Sequence, residues 1–209
     1  MELIDFILNV DVYLGSMIEN FGSLSYGILF AIVFAETGFV LTPFLPGDSL
    51  LFASGMFAGV GALNITVLFF TIWAASFLGD NVNYWVGYHF GKKIVNNHRI
   101  PINQNHIDKT EVFFKEHGRK AIFFARFMPI IRTFAPFVAG VGKMEYKKFV
   151  AFSLAGGFTW VISFILLGYF FGNMPIVKDN FSLVILFIIF VSVAPTIFNL
   201  LKAKLQKKA

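Results

Sequence analysis

The sequence contains no cysteine, which excludes disulfides, thiolate catalysis and cysteine-ligated metal. It is also short of charge: Asp, Glu, Lys and Arg make up only 14% of its 209 residues, against about 25% in an ordinary soluble domain. The four histidines, His89, His98, His106 and His117, form no HxxxH or HxxE pattern. No metal site is expected from them, and they read as loop residues. Residues 1–20 carry Glu2, Asp5, Asp11 and Glu19 but neither Lys nor Arg. Without a basic n-region, no cleavable signal peptide is expected.

Apolar residues take the place of the missing charge. They make up 57% of the chain, with 29 phenylalanines and a mean hydropathy of +0.73. So short a chain cannot hide that much apolar surface in one water-soluble core. The expected class is an all-α integral membrane protein, with one membrane domain over residues 1–209. On such a protein the position of each charge matters more than their sum. The net charge of +5 is then a topology signal, with no nucleic acid implied.

A helix crossing the bilayer needs about 20 apolar residues. Three segments qualify cleanly, at roughly 64–90, 149–172 and 180–201. Two more are long enough but broken. Residues 21–60 contain Pro43, Pro46, Gly47 and Gly55, and residues 121–142 contain Pro129 and Pro136. Proline inside a helix removes a hydrogen bond and usually kinks or ends it. Broken backbone at membrane depth is tolerated only where protein or a wet cavity covers it.

The basic loop 92–120 holds Lys92, Lys93, Arg99, Lys109, Lys115, Arg119 and Lys120 against three acids, which places it in the cytoplasm. A full crossing by 121–142 would put the basic step Lys143–Lys148 and the basic tail outside. If 121–142 enters and returns to the same side, both stay inside, and the turn at 173–180 lies outside. A re-entrant hairpin is therefore expected at 121–142. The acidic start fits the outside if 21–60 also crosses an even number of times; a hairpin and a pair of full spans satisfy that equally.

The chain also repeats itself. Ala58-Gly59-Val60-Gly61 recurs as Ala139-Gly140-Val141-Gly142, and Gly87-Tyr88-His89-Phe90-Gly91 recurs as Gly168-Tyr169-Phe170-Phe171-Gly172, at one common offset. Repeat 1 covers about 25–91 and repeat 2 about 121–172. Each makes one net crossing, so the two copies lie upside down to one another. Paired broken segments in inverted repeats mark secondary transporters, whose site forms where the breaks meet.

Four charges lie in the broken segments: Glu36, Asp48, Arg126 and Arg132. A charge at bilayer centre costs about 2.5–3.5 kcal/mol on insertion scales. The four sum to zero, so the economical arrangement brings the hairpins face to face and pairs the two arginines with Glu36 and Asp48. Asp80 sits inside a clean span, as a proton relay or as a partner for an arginine. A network of this kind can also serve the fold alone. Pro43, Pro46, Gly47, Pro129, Pro136 and Gly140 read as residues that shape the hairpins. The GxxxG spacings at Gly55/Gly59, Gly87/Gly91 and Gly168/Gly172 suit close helix approach. Trp73, Trp85 and Trp160 read as interface anchors and packing.

The stretch Glu36-Thr37-Gly38-Phe39-Val40-Leu41-Thr42-Pro43-Phe44-Leu45-Pro46-Gly47-Asp48 resembles the acidic, double-proline signature of the DedA family of membrane proteins, the VTT or SNARE-associated domain. Phe124-Ala125-Arg126-Phe127-Met128-Pro129-Ile130-Ile131-Arg132, followed by Pro136 and Ala139-Gly140, resembles its arginine motif. Gly79-Asp80 with Tyr84 and Gly87 resembles a third, weaker signature. The resemblance implies two re-entrant hairpins and translocation of a lipid such as undecaprenyl phosphate across the bacterial inner membrane, driven by the proton motive force. It assigns the essential acids to Glu36 and Asp48 and the essential arginines to Arg126 and Arg132. The implied partners are a polyprenyl phosphate or anionic phospholipid, and protons. No cofactor is implied, and a homo-oligomer stays open.

The chemistry is compatible with that role. Guanidinium forks bind phosphate bidentately and keep their charge, while a carboxylate moved out of water becomes easier to protonate. A proton-coupled transporter or channel for a small solute or ion is the alternative, and would show a sealed central cavity in place of a lateral opening. A membrane enzyme such as a lipid phosphatase would want a histidine beside the arginines, and neither broken segment has one. A scaffold would use the loop 92–120 as its contact surface.

Overall fold

With no water in the bilayer core, a chain must satisfy its own backbone, and a single apolar segment can do so only as a helix. The computed structural model accordingly shows only helices and turns among the residues it describes, which are 9–39, 47–95, 117–188 and the positions Thr110, Val112, Phe114 and Phe190. The helices are α1 (Val10–Phe21), α2 (Leu24–Gly38), α3 (Gly47–Gly59), α4 (Ile65–Val95), α5 (Ala121–Ala125), α6 (Pro129–Val141), α7 (Tyr146–Phe171) and α8 (Pro175–Asp179). Residues 181–188 are helical as well. Pro43, Pro46, most of the basic loop 92–120 and the tail beyond Phe190 lie outside the described residues. So does most of the third expected span.

Two helices are long and apolar enough to cross a membrane, Ile65–Gly91 within α4 and Tyr146–Phe171. Asn64 starts α4, its Oδ1 accepting from the amides of Thr66 and Val67 at 3.0 and 3.1 Å. That satisfies two of the donors left over at a helix start. The 15 residues of α2 and the 13 each of α3 and α6 reach only about 20 Å at 1.5 Å per residue, short of the roughly 30 Å hydrocarbon core.

Contacts in register give the helix directions. Tyr26 meets Asn64, while Thr37, farther along α2, meets Gly79 and Asn83, so α2 runs parallel to α4. Gly55 faces Ile165 and Gly59 faces Tyr169, so α3 is parallel to α7. Gly87 faces Phe137 and Gly91 faces Val141, so α6 is parallel to α4. The long helices oppose each other: Phe69 stacks edge-on to Phe158, the Trp73 indole donates to Leu154 O at 3.1 Å, and Asp80 meets Ser153. The short α3 and α6 thus each pack on the long helix of the other half of the sequence, while α2 packs on the long helix of its own half.

Glycine makes this packing feasible. A Cβ at Gly140 would collide with the carbonyl of Tyr84, and one at Gly168 with the carbonyl of Phe52. The core lies along these contacts, with Leu50, Leu51 and Phe52 of α3 buried among Leu68, Ile72, Val161 and Ile165. Pro136 departs from expectation, because α6 continues through it to Val141. The chain breaks instead at residues 126–128, just before Pro129. Pro136 cannot donate to the carbonyl of Arg132, but packing against Gly87 and Gly91 of α4 holds the helix together.

Gly140→Ala and Gly168→Ala should each lower stability by about 1–3 kcal/mol, the usual penalty for overpacking, read as a drop in unfolding temperature in detergent. Gly27→Ala, where a Cβ meets nothing within 4 Å, should leave it unchanged or slightly raised.

Candidate functional site

The short helices end beside the middle of α4, and the charges sit at those ends. Glu36 lies in the last turn of α2, Asp48 in the first turn of α3 and Arg132 in the first turn of α6; Arg126 lies in the break before α6. Asp80 is midway along α4. All five side chains are buried, from 1% exposure at Asp80 to 8% at Asp48 and Arg132.

They form two groups. Arg132 divides its fork, Nη1 donating to Asp48 Oδ1 and Nη2 to Glu36 Oε1. Arg126 donates through Nη2 to Asp80 Oδ2 and through Nη1 to Ser76 Oγ at 2.7 Å. Ser153 Oγ donates to the same Asp80 oxygen. The expected pairing of both arginines with Glu36 and Asp48 is therefore corrected: Asp80 takes Arg126, and both hairpin acids converge on Arg132. Asp80 is one turn beyond Ser76 on α4, so a single face of that helix offers Arg126 both an anion and a hydroxyl.

The total charge follows by counting. Three carboxylates face two guanidiniums, leaving one negative charge in excess when all are ionised. Backbone dipoles offset part of it. Asp48 lies at the start of α3, where a carboxylate is favoured. The start of α6 also points into the group, with no side-chain cap on Met128 and with Pro129 in its first turn. Arg132 is unfavourable at that positive end, and its two acids compensate.

Several site residues carry no charge and escape a charge-based reading. The Trp160 indole donates to Asp48 Oδ1 at 2.8 Å, and the guanidinium carbons of Arg132 and Arg126 lie 5.0 and 6.0 Å from its ring centroid. Asn83 Nδ2 donates to Thr37 O at 3.2 Å and Thr133 O at 2.7 Å, tying α2, α4 and α6 together. Spacing offers a signal for Ser76, Asp80 and Asn83, which share one helical face. No spacing signal singles out Trp160. Gly47 lies against Glu36, and a Cβ there would collide with its carboxylate. Gly140 packs on α4 and makes no contact with the charges, while Pro129 sets the start of α6.

Comparison with known proteins places the chain among membrane proteins of one family. Residues 45–170 match the VTT domain, a stretch that includes Asp48, Asp80, Arg126 and Arg132 but leaves out Glu36. Protein DedA of Escherichia coli is 46% identical over 205 residues, covering 97% of this chain and 94% of its own length. An uncharacterized membrane protein of Mycobacterium tuberculosis is 39% identical over 86% of this chain and 80% of its own. The inner membrane protein YqjA of Escherichia coli is 33% identical over 72% of this chain and 69% of its own. No solved structure matches the chain.

Breaking a buried ion pair from one side costs about 3–5 kcal/mol, because it strands a charge. Asp80→Ala and Arg126→Ala should each destabilise the protein by that order, and the double variant by clearly less than the sum. A double-mutant cycle of unfolding in detergent measures the difference.

Proposed function

Because this chain belongs to the DedA family of membrane proteins, we propose that it is a lipid translocase of the bacterial inner membrane, moving the headgroup of undecaprenyl phosphate or a related phospholipid coupled to the proton motive force. The reading gives the chain no chemical step to catalyse; its substrate crosses unaltered. The observation that carries it is the Arg132 fork held by two displaceable carboxylates, with a second arginine on the same indole. A phosphate presents the oxygen geometry that a guanidinium already finds in a carboxylate. The starts of α3 and α6 add positive dipole ends at the same place, and discontinuous helices use such ends to hold anionic groups at the midplane.

Helix direction supports the inverted repeat. In the first half the short α3 opposes α4, in the second the short α6 opposes α7, and α4 and α7 themselves oppose. It also supports two re-entrant hairpins. The α2–α3 pair enters from the side where α4 begins and the α5–α6 pair from the side where α4 ends, their tips meeting at the charges. Positive-inside placement then puts loop 92–120 and the C-terminus in the cytoplasm.

The mechanism follows from the pairing. α3 with α7, and α2 and α4 with α6, form two packed bodies. The Arg132–Asp48 pair is the ion pair that crosses their boundary, beside the α4–α7 contacts of Trp73 with Leu154 and Asp80 with Ser153, while Arg132–Glu36 and Trp160–Asp48 lie within one body each. A lipid phosphate binding Arg132 displaces Asp48 and loosens that link. Each negative charge the ligand brings requires one proton on the freed carboxylates if the total is to stay constant. The bodies then rock, and the headgroup crosses while its tails remain in lipid.

In proteoliposomes with undecaprenyl phosphate, Arg132→Ala, Glu36→Gln and Asp48→Asn should each slow headgroup translocation by about tenfold or more, the worth of a charged hydrogen bond in a dry site. Collapsing the pH gradient should slow the unaltered protein. Full activity in Arg132→Ala would end this reading. Topology can be checked separately, since the absence of cysteine makes single-cysteine labelling clean. A cysteine at Met174 should react with an impermeant thiol reagent added outside cells, and one at Glu145 only after the membrane is opened. The opposite pattern would overturn the orientation.

A further inference from the structure

Ion pairing accounts for the five charges, but one neutral side chain touches both of their groups. Trp160 is 1% exposed and lies on a face of α7 that presents Ser153, Gly156, Gly157 and Trp160, all buried. The two glycines let the break at Arg126 and the ring of Trp73 approach α7 closely, and Trp160 then projects between the arginines. Its Nε1–H donates to Asp48 Oδ1, the same oxygen that accepts from Arg132 Nη1. Arg132 and Arg126 both lie within cation–π range of its ring, at 5.0 and 6.0 Å.

The two guanidiniums repel each other, and each is held by its own acids; the Trp160 ring adds an attraction that both share. An indole is the strongest cation–π partner among side chains, and here one ring serves both guanidiniums. Its N–H is a donor only and does not titrate. It can hold an Asp48 oxygen whether that carboxyl is ionised and paired with Arg132 or has been released and protonated. Arg132 holds only the ionised form strongly. The ring and the N–H thus do different work on two sides of one side chain.

We propose that Trp160 is a positioning residue that couples the two ion-pair groups. Its N–H keeps Asp48 in place when the carboxylate leaves Arg132, and its ring keeps Arg126 and Arg132 together so that one phosphate can engage both. The proposal rests on the translocase reading above. The two roles separate by substitution. Trp160→Phe keeps an aromatic face and loses the donor, whereas Trp160→Leu loses both.

With the full chain in proteoliposomes, Trp160→Phe should lower the maximal translocation rate of undecaprenyl phosphate about tenfold, for loss of one hydrogen bond to a charged group, with KM changed by less than about twofold. Trp160→Leu should in addition raise KM about fivefold or more, for loss of desolvated cation–π contacts. A residue that merely fills space would reduce the yield of folded protein and leave rate and KM of the folded fraction unaltered. Wild-type rate and KM in folded Trp160→Phe overturn the proposal, and that variant suffices should Trp160→Leu fail to fold.

A second measurement separates this proposal from the function it rests on. In detergent, with Trp73 and Trp85 both replaced by Phe, Trp160 is the remaining tryptophan. Its emission should shift on titration with farnesyl phosphate and not with farnesol. If the unaltered protein translocates no phosphate lipid, the translocase reading fails, yet a saturable phosphate-specific shift still supports Trp160 as the partner of an anion-binding arginine pair. Emission unchanged by farnesyl phosphate overturns it.

Discussion

An ionised group at the middle of a bilayer has no water to face, and its partners must come from the protein. This chain buries five ionisable side chains and gathers them into two adjoining groups. At about 2.5–3.5 kcal/mol each on insertion scales, unpaired they would together cost more than 10 kcal/mol, comparable to the entire stability of an ordinary domain. The five therefore have to meet, and no single helix can bring them together. Asp80 rides on a long helix, while Glu36, Asp48, Arg126 and Arg132 sit where shorter segments stop. The breaks in the chain are how its ionised side chains reach one another.

Bringing them together sets the packing. α3 lies on α7, where Trp160 reaches Asp48, and α6 lies on α4, with the backbones in near contact. Glycine at positions 55, 59 and 168 in one contact and 87, 91 and 140 in the other removes the Cβ atoms that would hold the backbones apart. Without a hydrophobic drive between helices in lipid, such close approach supplies much of the association through dispersion. The same contacts gather the helices into two close-packed sets, α3 with α7 and α6 with α4, which share a core at Leu68, Ile72 and Val161. An ion pair such as Arg132–Asp48 can be exchanged for another anion, whereas interlocked glycine contacts cannot, so displacement there changes how the sets are joined without unmaking either.

Much of this was legible in the sequence, and the limits have physical causes. Charge in an apolar chain is conspicuous, so all five buried residues stood out. The repeated AGVG and GYxFG motifs marked most glycines of the helix contacts, and the GxxxG spacing marked Gly55, because close approach dictates residue size at a fixed spacing. Which arginine takes which acid was not legible: that depends on the rotation of one helix against another, and a sequence records the rotation only through its packing. Asp80 and Arg126 pair across such a contact. Trp160 was hidden for a related reason, since a tryptophan in a membrane helix is more often an interfacial anchor. Pro136 misled because its local preference to interrupt a helix was overridden by a neighbouring helix packed against it.

The count of charges bears on whether the network serves only the fold. A network built solely to hold helices together is least costly when acids and bases balance, because a surplus ion must be stabilised without a counter-ion. Here three acids meet two guanidiniums, and the surplus falls at Arg132, which serves two carboxylates where one would satisfy its charge. The starts of α3 and α6 partly offset that surplus, and helix starts act on any anion presented to them. An arginine with two acids competing for it gives up one more readily than an arginine with one, since the second remains when the first leaves. On the proposed function, the asymmetry between the crowded Arg132 and the singly paired Arg126 makes Arg132 the point where an incoming anion displaces least. Arg126, fixed by Asp80, Ser76 and the Trp160 ring, would be the stationary side of the same proposed site.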